Sequence, residues 1–486
     1  MRALAIVALL ALPAAAAPNP AFDTSGIADW TKPPAPGAEP TFTPPVARRM
    51  KLANGMAVLV VENHALPIVA MTLVVPGAGT AADPGGKGGL AAFTADMLDE
   101  GAGGLTAIQI AEEQDRLGAE IGLYAESDAA LVTVHTLTKT LDPTLALVAK
   151  IVAQPAFAPA DFERVKGDRL TALELRRDRP REVASIMLGA ALYGIQSPYG
   201  HPGGGVHDEF ARLTADDVAA FYRAHWNPAA MTLVVAGDVD PAALRAKLEA
   251  GLGAWKPAGV VRPARPVATP ARIAHRLWLV DRAGAAQSDV RIGLVGPDRH
   301  DRRYYAFEVL TSTLGGGFTS RLVQRLREQL GITYGAGAYM EWSVAPGPFV
   351  ISTAIQTPST AQGIAETMKI LDDLAARDLP AAELDKSKHN LIRALPARFE
   401  TNAATSEAFA ELALLGLPDD FYAHYAAAIR GVSAADVKAA ARALIPSGRM
   451  VIAVVGDMSK VRADLDKLGF GVPELRDLYG MPMVTK

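Results

Sequence analysis

Hydrophobic positions along this chain follow two periods. β-Branched runs at 56–61 and 68–75, parted by a polar turn, predict adjacent strands. Helices are expected over 88–100 and 106–117, then strands at 120–125 and 130–137. Several helices fill 143–222, and a strand at 231–235 precedes a short helix. Strands grouped in hairpins, with the helices apart from them, predict an α+β fold rather than a doubly wound sheet.

The second half repeats the first. TADDVAAFYRAHWNPAAMTLVVAGD, from Thr214 to Asp238, aligns without a gap on SAADVKAAARALIPSGRMVIAVVGD, from Ser433 to Asp457. Asp217 falls on Asp436, Arg223 on Arg442 and Gly237 on Gly456. Each copy reads as a capped helix, a turn, a buried strand and a Gly-Asp stop. Between the copies a Pro-rich stretch suits a linker. The expected organisation is a domain over 46–254, a linker over 255–272 and a related domain over 273–486.

Length and composition agree with two domains. Half of the 486 residues are apolar, more than one core usually organises. A formal charge of −4 argues against a nucleic-acid surface. Arg2, an apolar run over 3–12, Pro13 and small residues at 14–17 read as a secretory signal, 1–17, cleaved near Ala16 or Ala17. The expected location is therefore periplasmic or secreted. The run is too short for a membrane anchor and no later stretch is long enough, so no membrane span is expected. Residues 18–45, rich in Pro, Ala and Gly, read as an extended arm. There are no cysteines, which excludes thiolate-ligated metals and thiol nucleophiles.

Three segments carry a family resemblance: LANGMAVLVVEN (52–63), GGLAAFTADMLDEGA (88–102) and LGGGFTSRLVQRLREQLGITYGAGAY (314–339). In this order they resemble the pitrilysin/insulinase family of zinc metallopeptidases. The resemblance implies two homologous α+β domains, each a mainly antiparallel sheet covered by helices, arranged as a clam-like half-chamber. It also implies that chains of this size work in pairs. The family's inverted motif, His-x-x-Glu-His, puts two imidazoles on one helix face to chelate zinc beside a general base. Its positions fall here on Ala92, Ala95 and Asp96, so no metal is expected in this chain. The family's third ligand, a Glu on a later helix, matches Glu174 in LTALELRRD. Asp96 and Glu174 alone are two hard oxygen ligands, better suited to magnesium or calcium than to catalytic zinc. The plainer reading makes Glu174 an ordinary exposed helical residue. His201 and His207 in HPGGGVH form the only close histidine pair, and read as loop or interface residues.

The last segment keeps what the helix lacks. Arg327 is expected in the last turn of a helix capped by Gly331, with Tyr334 opening the next strand. In the family, residues at these positions reach into the chamber. A Tyr hydroxyl can donate to the oxyanion formed when water attacks a peptide carbonyl, and Arg can hold a carbonyl or carboxylate. The turn GGGF (315–318) lacks the Lys and spacing of a phosphate loop, and Gly316 and Gly317 are assigned to substrate binding. Some bacterial members of the family work as two chains, one keeping the zinc motif and the other the Arg–Tyr pair. This chain matches the second type. The resemblance then implies a peptidase subunit with no cofactor of its own, partnered by a homologous zinc-bearing chain, acting on peptides held in extended form against a sheet edge. The alternatives are an inert scaffolding homologue, or an enzyme with another metal at Asp96 and Glu174.

Overall fold

The computed structural model describes residues 41–256 and 276–483. The expected leader, the arm as far as residue 40 and the linker from residue 257 lie outside the described residues. Contacts divide the chain into Met1–Thr43 and Pro44–Lys486, and all that follows concerns the second unit.

In the first half, six strands lie in the order Arg48–Lys51, Ala57–Glu62, Thr232–Gly237, Ile68–Pro76, Ala129–Leu137 and Glu120–Ala125. Neighbours are antiparallel except Ala57–Glu62 with Thr232–Gly237. In the second half the order is Thr333–Met340, Pro348–Gln356, Gln287–Val295, Val451–Gly456, Leu277–Asp281 and Glu474–Leu475. Read from its opposite end, this is the same sheet. The first long strand of each half runs parallel to the last one, which pairs antiparallel with the second. Both halves also add a short strand at the same edge.

The duplicated segment folds identically at the level of single bonds. Thr214 Oγ1 accepts the Asp217 amide at 3.2 Å while the Asp217 carboxylate accepts the Thr214 amide at 3.0 Å. Ser433 and Asp436 make the same reciprocal pair at 3.1 and 2.9 Å. These capping boxes open the helices Ala215–His225 and Ala434–Leu444.

The central strands of each sheet are buried on both faces, which is why they read as continuous apolar runs rather than alternating ones. In the first half Val58, Val60, Leu73 and Val235 point to that half's own helices. Leu59, Val61, Val74 and Val234 point the other way, into a core shared with the second half. What covers that second face is the helix Asn402–Leu415, a segment of the second half packed on Ile68–Pro76 and Thr232–Gly237. The arrangement is reciprocal. The helix Pro180–Tyr193 of the first half packs on Gln287–Val295 and Val451–Gly456, with Val183, Met187 and Leu188 against Val350, Val451 and Val455. Polar bonds fix the exchange: Thr72 Oγ1 with Ser406 Oγ at 2.9 Å, Asn63 Nδ2 to Asn402 Oδ1 at 2.8 Å, and Tyr193 hydroxyl to Pro346 O at 2.9 Å. Buried Asp128 of the first half accepts the Val344 amide of the second at 2.8 Å, together with the Tyr199 hydroxyl.

Candidate functional site

The helix expected over 88–100 is shorter, Leu90–Asp96. Its start is set by Asp83, whose carboxylate accepts the amides of Gly89 and Ala91, each at 2.7 Å. The Asp83 side chain is fully buried, and burial pushes its pKa up to about 7. His201 Nε2 lies 3.4 Å from the same carboxylate. Ala92 is half-buried and Ala95 is buried. Asp96 and Glu174 each have another partner. The Asp96 carboxylate is paired with Arg169 of the helix Pro159–Glu174, which contacts it through Nε and Nη2. Burial raises the Asp96 pKa, and the Arg169 charge and hydrogen bond oppose it. Glu174 lies five residues beyond Arg169, about 140° further round the helix. It is 67% exposed, with its carboxylate 3.7 Å from His207. His207 thus meets an acid that sequence spacing did not reveal, and Asp208 stands 3.1 Å from its Nδ1. Among the described residues no group of three or more His, Asp or Glu side chains could hold a metal ion.

The Arg–Tyr segment is built from irregular backbone. The helix Tyr304–Gly315 ends against the strand Thr333–Met340, because a Cβ on Gly315 would lie 2.2 Å from the Ala338 nitrogen. A Cβ on Gly316 would meet Ser312 Cα at 2.6 Å, whereas one on Gly317 would meet nothing within 4 Å. The segment that carries Arg327, Val323–Gln329, is π-helical rather than α-helical, and the Leu330 amide reaches back to Arg325 O at 3.1 Å. Gly331, at φ +65°, ends it as expected. The strand that follows slips register between Thr333 and Ala336. Thr333 Oγ1 holds this bulge, donating to Ala354 O at 2.6 Å and accepting the Gly335 amide at 3.2 Å. Consequently Tyr334 and Gly335, consecutive in the chain, are both exposed.

These devices converge on one cluster. The Arg327 guanidinium stands between two rings, its centre 5.1 Å from the centroid of Phe318 and 5.1 Å from that of Tyr334. Its Nε lies 3.2 Å from the Glu328 carboxylate. Tyr334 is 86% exposed and Phe318 73%. Sequence reasoning paired Arg327 with Tyr334 but passed over Phe318. The signal was a large apolar side chain at the tip of an exposed glycine turn.

Residues 57–199 match the family described as insulinase, peptidase family M16, and residues 212–391 match the description peptidase M16 inactive domain. The chain belongs to the M16 peptidase family. Its similarity to other proteins spans most of its length. An uncharacterized zinc protease of Mycobacterium bovis is 27% identical over 423 residues, covering 86% of this chain and 94% of that one. An uncharacterized zinc protease of Bacillus subtilis is 24% identical over 76% of this chain and 88% of its own. The peptidase M16 inactive domain of Pseudomonas fluorescens superposes with a TM-score of 0.78 at 26% identity, covering 84% of this chain and 98% of that one. A Helicobacter pylori protease, also at a TM-score of 0.78, is 17% identical over 85% of this chain and 100% of its own, and so shares the fold.

This M16 chain does not fit a catalytic zinc. The helix positions of the motif offer two methyl groups and one carboxylate already bound to a guanidinium, and Glu174 points to a different partner. What the chain can do lies at the other cluster. A stacked guanidinium keeps its charge and loses little freedom when it binds, and the Tyr334 hydroxyl is open to solvent. Together they offer hydrogen-bond donors to an acceptor oxygen. Among the described residues no helix is long and apolar enough to cross a membrane.

Proposed function

We propose that this chain is the non-zinc subunit of an exported two-chain peptidase of the periplasm. Its role is to supply Arg327 and Tyr334 to an active site whose zinc and general base belong to a homologous partner. The observation that carries the reading is the Phe318–Arg327–Tyr334 stack, held out into solvent by a π-helical turn and a β-bulge. Exposed aromatic and cationic groups maintained by two irregular elements suit binding, since neither exposed ring contributes much to a core. In this role the Tyr334 hydroxyl donates to the oxygen that gains charge as the peptide carbonyl is attacked. The Arg327 N–H groups hold a neighbouring carbonyl or the peptide carboxylate. Gly316 and Gly317 lie in the turn that carries Phe318, and of the two only Gly317 has open space beside it for peptide backbone.

The test is a peptide-hydrolysis assay on the purified chain, alone and mixed with an M16 chain that carries His-x-x-Glu-His. This chain alone is expected to be inactive and the mixture active. Tyr334→Phe in the mixture should lower kcat by roughly 100- to 1000-fold, the cost of one lost oxyanion donor. Equal rates for Tyr334→Phe and the unaltered chain would leave the scaffolding role in its place.

A further inference from the structure

The helix Leu90–Asp96 is met by a cation from its neighbour. We infer that the Arg169 guanidinium is the resident cation of this site: it ties the helices Leu90–Asp96 and Pro159–Glu174 together and closes the position to divalent metals. Three contacts carry this. Arg169 meets Asp96, the residue at the second histidine position of the motif, through both Nε and Nη2 on one oxygen. Arg164, on the same helix as Arg169, pairs with Glu100, four residues beyond Asp96. On the buried side the Phe93 and Phe162 rings lie 5.2 Å apart and complete the junction. The two helices are thus joined by an apolar contact and one guanidinium–carboxylate pair, with a second pair tying the bend after Leu90–Asp96 to the same neighbour.

A metal at this position would need its ligand atoms at about 2.0–2.2 Å, in the space that the Arg169 nitrogens take up. It would also sit beside a full positive charge that cannot be shed, because guanidinium stays protonated in proteins. The absence of histidines is therefore only part of what keeps a metal from this position. The consequence for this chain is a junction that does not depend on metal supply, whereas a metal-held junction does.

Cobalt(II) is the probe, followed by its visible absorption, on the full chain with no peptide and no partner present. The outcome is therefore independent of the proposed function. One variant restores the motif with Ala92→His, Ala95→Glu and Asp96→His, and a second adds Arg169→Gln. Cobalt should bind the second at least about 100-fold more tightly than the first. Equal affinities would overturn the inference, as would two folded variants that both fail to bind. Should the restored variants fail to fold, a double-mutant cycle decides. Arg169→Leu and Asp96→Leu should each lower Tm, the pair together should lose less than the sum, and chelator should leave the Tm of the unaltered chain unmoved. Additive losses, or a chelator-induced drop in Tm, would refute it.

Discussion

Tyr334 and Asp83 are opposite kinds of residue, and their substitutions separate function from folding. Tyr334 is so exposed that Tyr334→Phe should change the urea-unfolding free energy by less than about 0.5 kcal/mol, whatever it does to activity. Asp83 is buried beneath the start of the helix Leu90–Asp96, and burial moves its pKa from the ordinary 3.8 to about 7. Between those values the folded chain keeps a proton that the unfolded chain has released. The stabilisation is therefore complete below about pH 4 and is lost as pH rises through about 7. Urea unfolding of the unaltered chain and of Asp83→Asn at pH 5 and pH 8 measures this. The difference between the two proteins should shift between these pH values by up to about 2.5 kcal/mol, with the unaltered chain relatively weaker at pH 8. A pH-independent difference would show that Asp83 stays ionised.

At the scale of elements, glycines that look alike in sequence do different work. Gly315→Ala forces a Cβ into the backbone of the neighbouring strand and should cost about 2–3 kcal/mol in urea unfolding, while moving the turn that carries Phe318. Gly317→Ala meets nothing and should be nearly neutral to stability, so any loss of peptide binding there speaks for substrate contact. The elements of the first half were legible in good part, and those of the second half chiefly through the repeat. The five strands given bounds came out within about two residues because β-branched runs bounded by turn residues leave few alternatives, and the Thr214 and Ser433 capping boxes are written in the residues themselves. The site was legible only in part. Arg327 and Tyr334 could be picked out, but a π-helical turn has no propensity signature, and a bulge at Tyr334 depends on Thr333 reaching across to Ala354. The Asp96–Arg169 pair joins residues on separate helices, and spacing along a single chain does not reveal such a contact.

At the scale of the whole molecule, the duplication was visible in sequence but its reciprocity was not. The helix Pro180–Tyr193 reads as an ordinary apolar helix of its own half, and nothing in its pattern says that the sheet beneath it belongs to the other half. The same holds for Asn402–Leu415. Their destinations are set by shape and by single bonds such as Thr72 to Ser406. The two halves also share a buried carboxylate, Asp128, whose acceptor oxygens serve one residue from each side.

Because each half lends the other a helix, covalent continuity between them carries little of the stability. A chain cut between Lys256 and Arg276 should remain one particle: the fragments should co-elute in gel filtration and melt together. Made separately, each fragment would bare one apolar sheet face and present one apolar helix without its sheet, and should aggregate until its counterpart is added. Two stable, monomeric fragments would mean that the exchanged helices are dispensable. The expected result is complementation, with the fold behaving as a dimer whose subunits happen to share one chain.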